Sequence, residues 1–153
     1  MNEINTNITK VFIGSDHAGI EAKAAMKDLL QKNNIECIDI GPQKDDSVDY
    51  PDFAEEVCMH VLETSNSLGV LICGTGIGMS MAANKIKGIR AALVTNDFMA
   101  EMTRKHNNSN VLCFGARVSL LEEMEDMLSI WLENTFEGDR HQRRIDKIHQ
   151  LEK

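Results

Sequence analysis

No stretch of eighteen or more apolar residues occurs, so no membrane-spanning helix is expected. Only two prolines are present, Pro42 and Pro51, and there is no internal repeat, low-complexity tract or linker. A basic excess is missing too. Lys and Arg total 16 against 24 Asp and Glu, a net charge of −8, which argues against a nucleic-acid partner because phosphate binding needs a basic footprint. The four cysteines, Cys37, Cys58, Cys73 and Cys113, make no CxxC pair, and no Cys/His spacing resembles a zinc site. No metal is therefore expected. Residues 1–9 lack the basic and apolar regions of a signal peptide. They are expected to form a disordered or frayed extension. A cytoplasmic location with reduced thiols is the matching expectation.

What remains is one domain's worth of chain, residues 10–153, with 42% hydrophobic and 26% charged residues. Its charge is uneven. Residues 139–153 carry five Lys/Arg against three Asp/Glu, and three of the six arginines fall between Arg140 and Arg144. A cationic cluster on an acidic chain suggests a specific small anion. Short β-rich runs alternate with helical stretches. Strands are expected at Lys10–Gly14, Glu36–Ile40, Gly69–Cys73, Ile89–Val94 and Asn110–Phe114. Helices are expected between them, one starting near Pro51 and one capped by Ser119 with Glu122 completing a capping box. Asp139 opens a last basic helix. Five strands alternating with helices imply βαβ units and a parallel sheet, whose ligands bind beyond the strand C-termini.

By that rule the strand ends hold the candidate site. The first ends in Gly14-Ser15-Asp16-His17 and the third in Cys73-Gly74-Thr75-Gly76-Ile77-Gly78. His106-Asn107 precedes the fifth and is grouped with them. The glycine turn fits neither GxGxxG nor a Walker loop. Its Gly74, Gly76 and Gly78 instead let backbone N–H groups approach an anion at a helix N-terminus. A cysteine at such a position gains thiolate character. A lone cysteine is more often a buried small hydrophobe, and Cys37, Cys58 and Cys113 keep that reading. His17 and His106, flanked by Asp16 and Asn107, suggest a polar site. His60 and His149 are assigned to structural or exposed positions, and His141 stays undecided.

These residues carry a resemblance. GSDHAGIEAK, VDYPDFA, GVLICGTGIGMSMAANKIKGIRAAL, KHNNSNVLCFGARV and EGDRHQRRI occur in that order from Val11 to Ile145. Together they resemble the ribose-5-phosphate isomerase B family, within the group that includes galactose-6-phosphate isomerase subunits. The resemblance implies a three-layer α/β/α Rossmann-like sandwich with a five-stranded parallel sheet. It implies a homodimer with shared active sites, the basic C-terminal helix at the interface, and leaves a tetramer open. It implies metal-independent, cofactor-free interconversion of ribose 5-phosphate and ribulose 5-phosphate in the non-oxidative pentose phosphate pathway. Cys73 matches the base that moves a proton between C1 and C2. Thr75 matches the hydroxyl that assists transfer between O1 and O2, and His106 the acid that opens the ring. Asp16, His17, Tyr50, Asn107, Arg117, Arg140 and Arg144 match the substrate-binding set. Some relatives use a glutamate base, but Met79 and Ser80 offer no carboxylate in that stretch.

The chemistry suits the residues. Proton abstraction beside a carbonyl gives an enediolate, and a positioned base contributes roughly 10²–10⁴-fold. The Gly74–Gly78 amides are candidate donors to the oxyanion. Arg140 and Arg144, four residues apart on one helix, can converge on a phosphate. Two rivals stand beside this reading. A hexose 6-phosphate isomerase would differ in pocket size, and a non-catalytic phosphosugar- or nucleotide-binding module would need no carbon base.

Overall fold

A computed structural model describes residues 7–44 and 46–153. The elements run β1 (Lys10–Ser15), a 3₁₀ turn (His17–Gly19), α1 (Ile20–Lys32), β2 (Glu36–Gly41), α2 (Tyr50–Glu63) and β3 (Ser67–Cys73). They continue with α3 (Ile77–Ala83), β4 (Ala91–Leu93), α4 (Asp97–Asn107), β5 (Val111–Gly115), α5 (Leu121–Glu133) and α6 (Arg140–His149). All five strands are parallel, in the order β2-β1-β3-β5-β4.

Side-chain alternation along the strands builds two cores. Val11, Ile13, Val70, Ile72, Leu112 and Phe114 face α1 and α5, where Met26, Leu30, Leu128 and Trp131 are buried. Phe12, Leu71, Cys73, Val111 and Cys113 face α2 and α3, where Ala54, Val57, Cys58 and Met79 are buried. Because both faces are covered, the central strands read as continuous apolar runs. The architecture is the expected three-layer α/β/α sandwich.

Several boundaries differ from expectation, each for a local reason. The fourth strand is only Ala91–Leu93, because the Arg90 and Ala91 amides are taken by the side chains of Asn110 and Asn84. The cap of α5 lies one residue later than Ser119. The Leu120 amide donates to Glu123, not Glu122, at 2.8 Å. Of the expected frayed segment, residues 1–6 lie outside the described residues. Ile8 packs against the core, and Thr9 joins Asn66 and Glu36 through backbone hydrogen bonds of 3.0 and 3.1 Å. The fold therefore begins before Lys10.

Candidate active site

Connections leave β1 for β2 on one side and reach β3 on the other, so a crevice opens between the C-terminal ends of β1 and β3. Cys73 ends β3, its side chain nearly buried at 5% exposure. The chain then turns through Gly76, whose φ of +77° belongs to the left-handed region. A Cβ there would lie 2.5 Å from Leu93 Cδ1 and 2.8 Å from the Phe114 carbonyl carbon. The turn aims the Gly76 amide back at the cysteine, and its N–H donates to Cys73 Sγ at 3.2 Å. Thr75 Oγ1 accepts from the Ile77 amide at 3.3 Å. The first helical bond of α3 is Ser80 N to Gly76 O, leaving the Gly78 and Met79 amides without helical acceptors. The helix itself has only 7 residues. The donors at this turn are individual amides, with little macrodipole behind them.

Other expected residues gather on the same edge. Asp16 follows β1, accepts from the Ala18 amide at 2.9 Å and donates its own amide to Ile72 O. His17 follows, with its Nδ1 buried and unbonded among the described residues, beside an open groove that includes Glu21, Gln43 and Lys44. Tyr50 starts α2 and lies against Gly78, where a Cβ would be 2.4 Å from the phenol Cζ. Only a glycine admits that ring. Arg117 follows β5. Its amide bonds Gly74 O at 2.9 Å, and its guanidinium would be 3.4 Å from a Cβ on Gly74. Asp16, His17, Tyr50, Cys73, Thr75, Gly74, Gly76, Gly78 and Arg117 thus share the C-terminal edge of the sheet.

His106, Asn107, Arg140 and Arg144 do not join them. His106 and Asn107 form the last turn of α4, which runs against the strands and ends where β5 begins. They lie at the N-terminal edge, and grouping them with the strand C-termini was a misreading of direction. Cys73 pairs with Gly115, four residues beyond Val111 along β5. At ~3.3 Å per residue, about 13 Å of strand separates those levels before the loop to α4 is counted. Arg140 and Arg144 are exposed on α6, with no ion pair among the described residues. By contrast, Arg90 bonds Asn107 O and Asn108 O, and Arg104 bonds Ser109 O at 2.8 Å beside Trp131.

The lower edge holds residues that sequence patterning missed. Glu137 is tied to the end of α4 by a 3.0 Å bond from its amide to Lys105 O. Its Oε2 lies 3.7 Å from His106 Nε2 and 3.6 Å from His141 Nε2. The two imidazoles stack with centroids 4.1 Å apart. His141, left undecided from sequence, is buried, and burial together with His106 and Arg140 pushes its pKa down. The fold gathers His106, Glu137 and His141, with ligand atoms within 4.8 Å of one another, a cluster the spacing along the chain did not show because thirty-one residues separate the first from Glu137. The i,i+4 spacing of Glu137 and His141 was the one visible signal.

The remaining cysteines are structural. Cys58 and Cys113 are fully buried, and Cys37 packs at the edge of the core. Burial pushes the Cys58 thiol up to about 12, the Cys37 thiol up to about 11, and Cys113 well above its usual range. His60 stacks on Phe12, and His149 meets Arg90 at 3.1 Å.

Residues 11–148 match the ribose/galactose isomerase family. The chain belongs to that family. It is 40% identical to the ribose-5-phosphate isomerase B of Escherichia coli K12 over 143 residues, covering 94% of this chain and 96% of the other. The solved ribose-5-phosphate isomerase B of Clostridium thermocellum is 46% identical and superposes with a TM-score of 0.91 over 94% of this chain and 97% of that one. The enzyme of Mycoplasma genitalium, solved with bound ribulose-5-phosphate, is 44% identical with a TM-score of 0.88, covering 92% and 94%. As a member, the chain carries the Cys73 turn and the Arg140/Arg144 helix within the matched span.

Proposed function

We propose a division of labour for the reaction this chain catalyses, the aldose–ketose isomerisation of ribose 5-phosphate and ribulose 5-phosphate. The relative with ribulose-5-phosphate bound supports the substrate. Cys73 is the carbon base. Its thiolate takes the proton from C2 of the open-chain aldose and returns it to C1 through an enediolate. The Gly76 N–H, donating to Sγ at 3.2 Å, fixes the sulfur at the mouth of the glycine turn and supports this role. Thr75 relays the proton between O1 and O2, and the amides of the Gly74–Gly78 turn stabilise the developing oxyanion. His106 protonates the ring oxygen to open the sugar, an imidazole being suited to that step near neutrality. Arg140 and Arg144 bind the phosphate. Asp16, His17, Tyr50, Asn107 and Arg117 hold the remaining hydroxyls and phosphate oxygens.

One observation carries the assembly. In the sugar ring, the ring oxygen and C2 are two bonds apart, and each must come within hydrogen-bond reach of its catalyst. Within one chain, the base and the acid lie at opposite edges of the sheet. A homodimer reconciles them if the upper edge of one protomer faces the lower edge of its partner. The proposal therefore includes a homodimer with two shared, metal-free sites, and a cytoplasmic role in the non-oxidative pentose phosphate pathway. A coupled assay with ribose 5-phosphate, allose 6-phosphate and galactose 6-phosphate tests the substrate. The pentose phosphate is expected to give the highest kcat/KM; a hexose phosphate preferred by tenfold or more would overturn the assignment.

A further inference from the structure

We propose that His106, Glu137 and His141 form an inhibitory binding site for a borderline divalent metal ion of the zinc class. The inhibition, though not the binding, rests on the role given above to His106.

Their ligand atoms all lie within 4.8 Å of one another. The gaps from Glu137 Oε2 to the two Nε2 atoms, 3.7 and 3.6 Å, exceed a normal hydrogen bond. They sit close to the spacing of two ligands on one tetrahedral zinc, about 3.3 Å for metal–ligand bonds of about 2.0–2.1 Å. The two imidazoles are stacked, so their in-plane lone pairs run in nearly parallel planes; a common ion requires the half-exposed His106 ring to rotate out of the stack towards Glu137 and His141. The set of two imidazoles and one carboxylate is a three-ligand pattern that leaves a fourth position for water or substrate.

The supports are already in place. Glu137 is fixed by its amide bond to Lys105 O, His106 by the last turn of α4, and His141 by burial on α6. In the single chain the side chains of His106 and Glu137 are 35% and 48% exposed, so in the proposed dimer an ion reaches them through the opening that admits the sugar phosphate. Arg140 and Arg144 flank His141 in sequence and oppose a cation, while Lys105 pairs with Glu101. With two nitrogens among three ligands, the site favours an ion with strong affinity for nitrogen over calcium or magnesium, which prefer oxygen ligands. A bound ion occupies the lone pair of His106 and withdraws it from the ring-opening step. Neither the sheet nor the Cys73 turn needs to move.

The test uses the purified full-length protein. Zn²⁺ and Co²⁺ are titrated calorimetrically, with Co²⁺ visible absorption reporting coordination geometry. Wild type is expected to bind one ion per chain in a tetrahedral cobalt environment. Glu137→Gln and His141→Ala should each weaken binding at least tenfold, with unchanged far-UV circular dichroism. Cys58→Ala, buried away from both edges of the sheet, should bind as wild type does. Binding that survives both Glu137→Gln and His141→Ala, or that disappears in Cys58→Ala, overturns the site. Rates are then measured for both sugar phosphates. Zn²⁺ should inhibit turnover of ribose 5-phosphate in wild type, with reversal by EDTA. Normal binding without inhibition would leave the metal site standing and refute the role given to His106.

Discussion

At Cys73, a single amide donor separates the thiol proposed as the base from its core neighbours. Cys113 lies on the same face of the sheet and Cys58 packs on it from α2, but among the described residues neither receives an amide donor. Cys73→Ala should abolish isomerisation while folding and phosphosugar binding persist. Cys58→Ala should leave kcat near wild type and lower stability by about 1–2 kcal/mol, as for other small cavities. Turnover and urea denaturation of both variants decide this; wild-type kcat in Cys73→Ala would remove the thiol from the mechanism. His106 allows a second distinction. His106→Asn should slow cyclic ribose 5-phosphate far more than ribulose 5-phosphate in single-turnover experiments. A ketopentose 5-phosphate cannot close the ordinary ring, so it does not need the acid. Equal losses on both substrates would count against ring opening as its role.

Among the elements, α6 and the β1–β2 edge behave differently. α6 buries only His141 and Ile145 and presents its arginines to solvent. Two guanidiniums on one phosphate make charge-assisted bonds of roughly 1.5–3 kcal/mol each. Arg144→Ala should therefore raise KM by about one to two orders of magnitude. Lysine should rescue only in part, since it lacks the planar fork. An unchanged KM would free α6 from the phosphate. At the other edge, Asp39 bonds Lys27 and Lys23, both at 2.9 Å. Burial pushes its carboxyl up, but the hydrogen bonds from the two lysines outweigh it and hold the pKa below 3.8. A depressed acid stabilises the fold above its unfolded pKa, near 4, and loses that contribution as pH falls through the lower folded value. Denaturation midpoints should therefore drop as the pH falls below about 4. Asp39→Asn should be less stable at neutral pH and show a shallower acid dependence. An identical acid profile in the variant would assign the effect to other carboxylates.

For the whole molecule, the prediction is complementation. If the sites are shared as proposed, a Cys73→Ala chain lacks the upper half of each site it lends, and an Arg140→Ala/Arg144→Ala chain lacks the lower half. Mixed after dissociation, the two should restore activity at one of the two sites in each heterodimer. Mass spectrometry of tagged chains verifies exchange. Exchange without recovered activity would mean that each chain completes its own site.

Much of this protein was legible in the order of its residues. Apolar strands with a two-residue alternation and helices between them determined a parallel sheet covered on both faces. Gly74, Gly76 and Gly78 behind Cys73 marked the turn that points an amide at the sulfur, because local backbone geometry depends on neighbours in sequence. Strand length at Ala91–Leu93 and the cap at Leu120 were not legible, since side chains of Asn84, Asn110 and Glu123 compete for those amides. Direction was lost as well. His106 precedes a strand and therefore sits at the edge opposite Cys73, a consequence of sheet topology. The meeting of His106 with Glu137 and His141 was decided only when α6 packed back on α4. Contacts between segments so far apart in the chain depend on how whole elements pack, and no local pattern of residue types records that.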